Sequence, residues 1–339
     1  MKSANPKFGL VLTGGGAKGA YQAGALKYLA ELGLEPQIIA GSSIGALNGA
    51  VLSSHQPFEQ GVRRLNELWT QLGQAPILRP NTGKVLPVFS YAAQTFVPTL
   101  REWVLDFLVQ FGLLKDRTTI FDPAPIEQLL RLAVNPAELR RGIELWVTVF
   151  PSLKIPGLGY DWLIDFVRAK TGTDAHWLCA QDFTDDATLY NLLLASAALP
   201  KAFPSREING RFYVDGALAD NVPLRPLAKR GCTHVIVIHL ENGSVSHRHD
   251  FPQTIIEIRP EQLINQSDTP LLGSVSSLLD FNAKRLAELK THGYQDARRC
   301  LEPLIQTFRA VKDQRQSHDS LLTSTQWLLN DSPLEIDYV

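Results

Sequence analysis

No stretch of the 339-residue sequence comes near the roughly 20 consecutive apolar residues that a membrane-spanning helix requires, so an integral membrane protein is not expected. The N-terminal MKSANPKFGLVLTGGG carries only a five-residue apolar run ahead of its glycines, too short for the core of a secretory signal. Cysteine is scarce. Cys179, Cys232 and Cys300 are odd in number and far apart, which argues against both a disulfide framework and a C-x-x-C metal site. Charge of one sign is lacking too: 33 Lys and Arg stand against 34 Asp and Glu, leaving a net charge of -1. Without a global basic field, nucleic acid is not expected as a partner, whereas an anionic lipid surface needs only a local patch. Taken together, these absences lead to the expectation of a cytoplasmic globular protein in a reducing compartment. No internal repeat, low-complexity tract or clear linker interrupts it, so one domain with insertions is expected over two.

What is present is enough to build a core, at 45% hydrophobic residues. Short β-branched or apolar runs recur at 8–12, 37–40, 145–150, 212–214, 235–240 and 255–258, and helical patterns separate most of them. That alternation predicts parallel strands with crossover helices, an α/β sandwich around a buried sheet. Asn209-Gly210 is a local exception and predicts a tight hairpin. In the first βα unit a strand over 8–12 enters a glycine loop, followed by a helix over about 17–32 that Gly33 ends.

That loop belongs to "LTGGGAKGAYQAG", which holds five glycines in the thirteen residues 12–24. Gly14, Gly16 and Gly19 satisfy G-x-G-x-x-G, the fingerprint of a pyrophosphate-binding turn. A dinucleotide site would also need an acidic side chain at the far end of the second strand to hold a ribose. Glu35 lies before that strand, and its far end carries Gly41-Ser42-Ser43-Ile44-Gly45 instead. This second motif is G-x-S-x-G, in which a serine occupies a strained turn between strand and helix with its hydroxyl exposed. Ser43 is therefore the expected nucleophile. Adjacent parallel strands open on the same edge, so a loop of free N–H groups beside Ser43 reads as an oxyanion hole. A serine hydroxyl needs a base. Asp215, which ends a strand in "RFYVDGALADN" and is followed by Gly216, is one candidate; His239, at the end of "VIVIH", would complete a triad instead.

The motifs "GGGAKGAYQAG", "GSSIG", "SAALPKAFPS" and "YVDGALADNVPL", in this order and spacing, resemble those of the patatin-like phospholipases. The likeness covers residues 8 to about 55 and 190–240, with a weaker echo in "IFDPAPIEQLL" at 120–130. It implies a three-layer α/β/α sandwich with a mainly parallel central sheet, forming a single patatin-like domain over 1–339. It further implies a Ser-Asp dyad acyl hydrolase in which Ser43 attacks an ester carbonyl and Asp215 takes and returns the proton. The N–H groups of Gly14, Gly15 and Gly16 would hold the oxyanion, with Lys18, Gly19, Gly41, Gly45 and Gly216 as motif support. No metal or organic cofactor is implied, and the implied substrate is a lipid or phospholipid. Lys18 stands where the family often has arginine, keeping the charge without the bidentate fork; its readings are a phosphate head-group contact or a pairing with a carboxylate.

Two apolar stretches, 97–114 and 153–170, match nothing in that resemblance. Helical cap insertions are accordingly expected at about 75–120 and 151–180, and C-terminal helices at about 270–330. The bland reading of the two stretches is packing on the core; the functional one is a greasy cap in peripheral contact with a membrane. An acyltransferase would use the same residues, and a non-catalytic lipid or nucleotide binder would keep the loop without the chemistry.

Overall fold

The structure, a computed structural model, describes residues 7–74, 124–152, 174–200, 203–241, 248–262, 264 and 280–330. The stretches 97–114 and 153–170 lie outside the described residues. The chain divides into two compact units, Met1–Ala297 and Arg298–Val339.

The first unit is built on an eight-stranded sheet. Its strands are β1 (Phe8–Leu12), β2 (Ile38–Ser42), β3 (Glu144–Pro151), β4 (His176–Cys179), β5 (Arg206–Ile208), β6 (Arg211–Asp215), β7 (His234–Ile238) and β8 (Thr254–Ile258). The spatial order is β5-β6-β3-β2-β1-β7-β8, with β4 also paired to β3. Pairs β1–β2, β2–β3, β1–β7 and β7–β8 are parallel. The helices of this unit are α1 (Gly19–Glu31), α2 (Ile44–Ser53), α3 (Phe58–Leu72), α4 (Ala124–Ala133), α5 (Pro136–Arg141), α6 (Asp186–Ser196) and α7 (Leu224–Lys229), and it also takes in the start of α8 (Ala283–Asn330).

Leu10, Val11 and Leu12 of β1, Ile39 and Ala40 of β2 and Val237 and Ile238 of β7 are wholly buried, which is why these strands read as unbroken apolar runs. On one face Val11, Ile38, Ala40, Val235 and Val237 pack with Leu224 and Leu227 of α7. On the other, α2 lies so close that Gly49 faces Leu145 and Ile39. Helices thus cover both faces of a mainly parallel sheet, the three-layer sandwich expected.

The strands at the β5 end run differently. The Asn209-Gly210 turn has φ of 49° and 77°, the left-handed pair a two-residue hairpin needs, and it sets β5 antiparallel to β6. Strand β6 is also antiparallel to β3, with Asp215 opposite Val149. Asp215 ends its strand at the carboxyl-terminal edge of the sheet, as expected, but reaches that edge from the direction opposite to the parallel strands. Residues 176–179, inside the stretch expected as a cap insertion, form β4, paired antiparallel to Trp146–Val149 of β3.

In the second unit the described residues continue α8, pair Arg298 with Glu302 one turn on, and leave Phe308 and Trp327 exposed.

Candidate active site

Strand β3 sets the spacing of the site. Ser42 lies in register with Thr148 and Asp215 with the next residue, Val149, so the residue after β2 and the last residue of β6 meet at one point of the sheet edge. Ser43 sits there between β2 and α2 with φ 52° and ψ -126°, a strained conformation for a residue with a side chain. The surroundings over-determine it. Its N–H donates to Ser196 Oγ at 2.9 Å, and Ser196 Oγ–H in turn donates to Thr148 O at 2.7 Å. The turn is tight enough that a side chain at Gly45 would strike the backbone of Leu12.

The Ser43 hydroxyl donates to Asp215 Oδ2 at 2.7 Å. Asp215 Oδ1 accepts the N–H of Ala217 at 2.9 Å, in a 3-10 turn over Gly216–Leu218 that Gly216 opens. The Asp215 side chain is buried, and burial pushes its pKa up to about 7 against the opposing pull of the hydrogen bonds from Ser43 and Ala217. A carboxylate that ionises near neutrality and touches a serine hydroxyl can exchange a proton with it at working pH.

The glycine loop lies against this pair. A Cβ on Gly14 would stand 2.9 Å from Ser43 Cβ, so only glycine lets the loop approach the serine this closely. The chain then makes a 3-10 turn over Gly16–Lys18 and enters α1 at Gly19, presenting the positive end of the helix dipole.

A family model for the patatin-like phospholipases matches residues 10–228 of the 339. The chain belongs to the patatin-like phospholipase family. Relatives in that family include Lysophospholipase NTE1 of Candida albicans, 25% identical over 252 residues, which are 72% of this chain and 14% of that protein. An uncharacterised NTE family protein of Mycobacterium tuberculosis is 24% identical over 287 residues, 84% of this chain and 60% of its own length. The chain thus spans only part of the patatin-like relatives it matches. Among solved structures it is similar to VipD from Legionella pneumophila, with TM-score 0.45, 14% identity, and coverage of 89% of this chain and 68% of that one.

The residues this patatin-like chain was expected to use do not all sit as expected. Gly14 is a correction: its N–H donates to Asn221 Oδ1 at 2.6 Å, so it is already engaged, whereas among the described residues the Gly15 and Gly16 N–H groups meet no acceptor. His239, the alternative base, is buried and its Nε2 lies 2.9 Å from Glu257 Oε2, in a cluster with Arg248 and Arg259. Both carboxyl oxygens of Asp215 are meanwhile held by Ser43 and Ala217. Of the two readings of Lys18, the structure has the carboxylate: Nζ is 3.7 Å from Glu241 Oε1, its side chain is buried, and desolvation lowers its pKa while Glu241 opposes that shift. Gly41 lies within β2 opposite Leu12 and Val147.

Two side chains at the site were missed. Ser196 and Asn221 both lie inside quoted motifs, in "SAALP" and "DGALADN", but hydroxyl and amide side chains carry no sequence sign of which backbone they will grip.

Proposed function

We propose that the chain is a serine acyl hydrolase that cleaves lipid acyl esters through a Ser43–Asp215 dyad and an acyl-enzyme intermediate. The reading rests on the 2.7 Å hydrogen bond between Ser43 Oγ and a carboxyl that burial brings to a pKa of about 7. Ser43 Oγ adds to the ester carbonyl carbon as its proton passes to Asp215 Oδ2. The carbonyl oxygen becomes an oxyanion that accepts the N–H groups of Gly15 and Gly16. Collapse breaks the carbonyl–alkoxy bond, and the departing alcohol takes the proton back from Asp215. Water then repeats the sequence on the acyl-serine ester, giving its proton to Asp215; the fatty acid leaves and Ser43 is restored.

Phospholipids and lysophospholipids are the first substrates of choice, given relatives named as lysophospholipases. Ser43→Ala and Asp215→Asn should each lower hydrolysis of a short p-nitrophenyl ester by on the order of 10,000-fold while the variants stay folded by circular dichroism. Full activity in Asp215→Asn together with its loss in His239→Ala would move the base role to the histidine. A lipid panel with mass-spectrometric product identification should yield free fatty acid; transfer of the acyl group to a second alcohol instead would make the protein an acyltransferase.

A further inference from the structure

We propose that Asn221 is a positioning residue for this reaction: its amide fixes the peptide plane that carries the Gly15 N–H and thereby aims an oxyanion donor. The inference rests on the hydrolase reading above.

A run of three glycines has no side chains to limit its dihedral angles, so the direction of its N–H groups must be set from outside. Asn221 does this at two points. Its Oδ1 accepts the Gly14 N–H at 2.6 Å, and its Nδ2 donates to the Gly14 carbonyl at 3.4 Å. The peptide on the amino-terminal side of Gly14 is held on its other edge as well, where Gln22 Nε2 donates to Thr13 O at 2.8 Å. The next peptide is the one that matters. In a planar trans peptide the C=O and the N–H point in opposite directions, so drawing the Gly14 carbonyl towards Asn221 turns the Gly15 N–H to the far side.

Asn221 is itself fixed. Its neighbour Asp220 accepts the Val222 N–H on Oδ1 at 3.1 Å and Trp177 Nε1–H on Oδ2 at 2.9 Å, which ties the loop to β4. The N–H groups of Ala219 and Asp220 both donate to Gly216 O, so the loop from Asp215 to Asn221 is closed on itself. The group proposed as base and the clasp on the oxyanion loop therefore move as one piece, keeping donor and base in register.

The test uses the full chain with Asn221→Ala and Asn221→Asp. The aspartate keeps an acceptor for the Gly14 N–H but turns a second acceptor, not a donor, towards the Gly14 carbonyl. Both variants should lose about 10- to 100-fold in kcat on a short aryl ester with KM changed by less than about twofold. Affinity for an alkyl trifluoromethyl ketone, which adds to Ser43 as a tetrahedral oxyanion, should fall by the same factor, while the pH midpoint of kcat/KM stays in place. Amide hydrogen exchange at Gly14 should speed up in Asn221→Ala. Wild-type kcat in either variant, or a loss confined to KM, overturns the proposal. If the wild-type chain neither hydrolyses esters nor labels at Ser43 with a fluorophosphonate, the hydrolase reading fails on its own. Exchange at Gly14 still decides the clasp, and unchanged exchange in Asn221→Ala overturns it.

Discussion

Burial, with no cation beside it among the described residues, governs Asp215. Its folded pKa of about 7, against an ordinary 3.8, has desolvation as its largest cause, and the two hydrogen bonds it accepts recover only part of the cost. The base must be ionised to accept the serine proton. The expected profile of kcat/KM on an uncharged ester therefore rises tenfold per pH unit below about 7 and levels off above it. A profile already flat at pH 5 would mean that the carboxyl titrates in its ordinary range. Ser43 was legible in the sequence because a strained strand-to-helix turn demands small neighbours, and Gly41 and Gly45 are visible as letters. Asn221 was not, because its role depends on a carbonyl and an amide 207 residues away in the chain.

The helix that follows the glycine loop is held in place by backbone contact. A Cβ on Gly24 of α1 would strike the carbonyl of Lys290, and one on Gly293 of α8 the carbonyl of Tyr21. Around that crossing Tyr21 Oη donates to Asp296 Oδ2 at 3.0 Å, and Tyr28 meets Tyr294 edge to face at 5.4 Å. Gly293→Leu should cost about 3 kcal/mol of stability in a denaturant titration, because backbone cannot give way as a side chain can. Thr291→Ala, on the exposed side, should stay within about 0.5 kcal/mol of wild type. Strands β1 and β7 were readable because their residues form near-continuous buried apolar runs. Strand β4 was not: its four residues are only half-buried, and HWLC has neither alternation nor an apolar run.

At the scale of the molecule, burying the Asp215 carboxyl ties stability to pH. The folded pKa lies above the unfolded one, so this contribution is fully present below pH 3.8 and is lost as pH rises through about 7, by on the order of 4 kcal/mol. Asp215→Asn removes the ionisation, so its advantage in unfolding free energy over wild type should grow between pH 5 and pH 9. An advantage independent of pH would place the shift elsewhere. By itself the sequence determined that helices alternate with buried strands, that a serine sits on a glycine-flanked elbow, and that a glycine-rich loop precedes a helix. All three are local, set by side-chain size and apolar period within a few residues. Only the tertiary structure decided that β6 runs antiparallel and delivers Asp215 beside Ser43, that His239 turns to Glu257, and that Asn221 takes the Gly14 amide. Those outcomes depend on strand pairing and on hydrogen bonds between segments far apart in the chain, where a residue's partner is chosen by the fold and not by its neighbours.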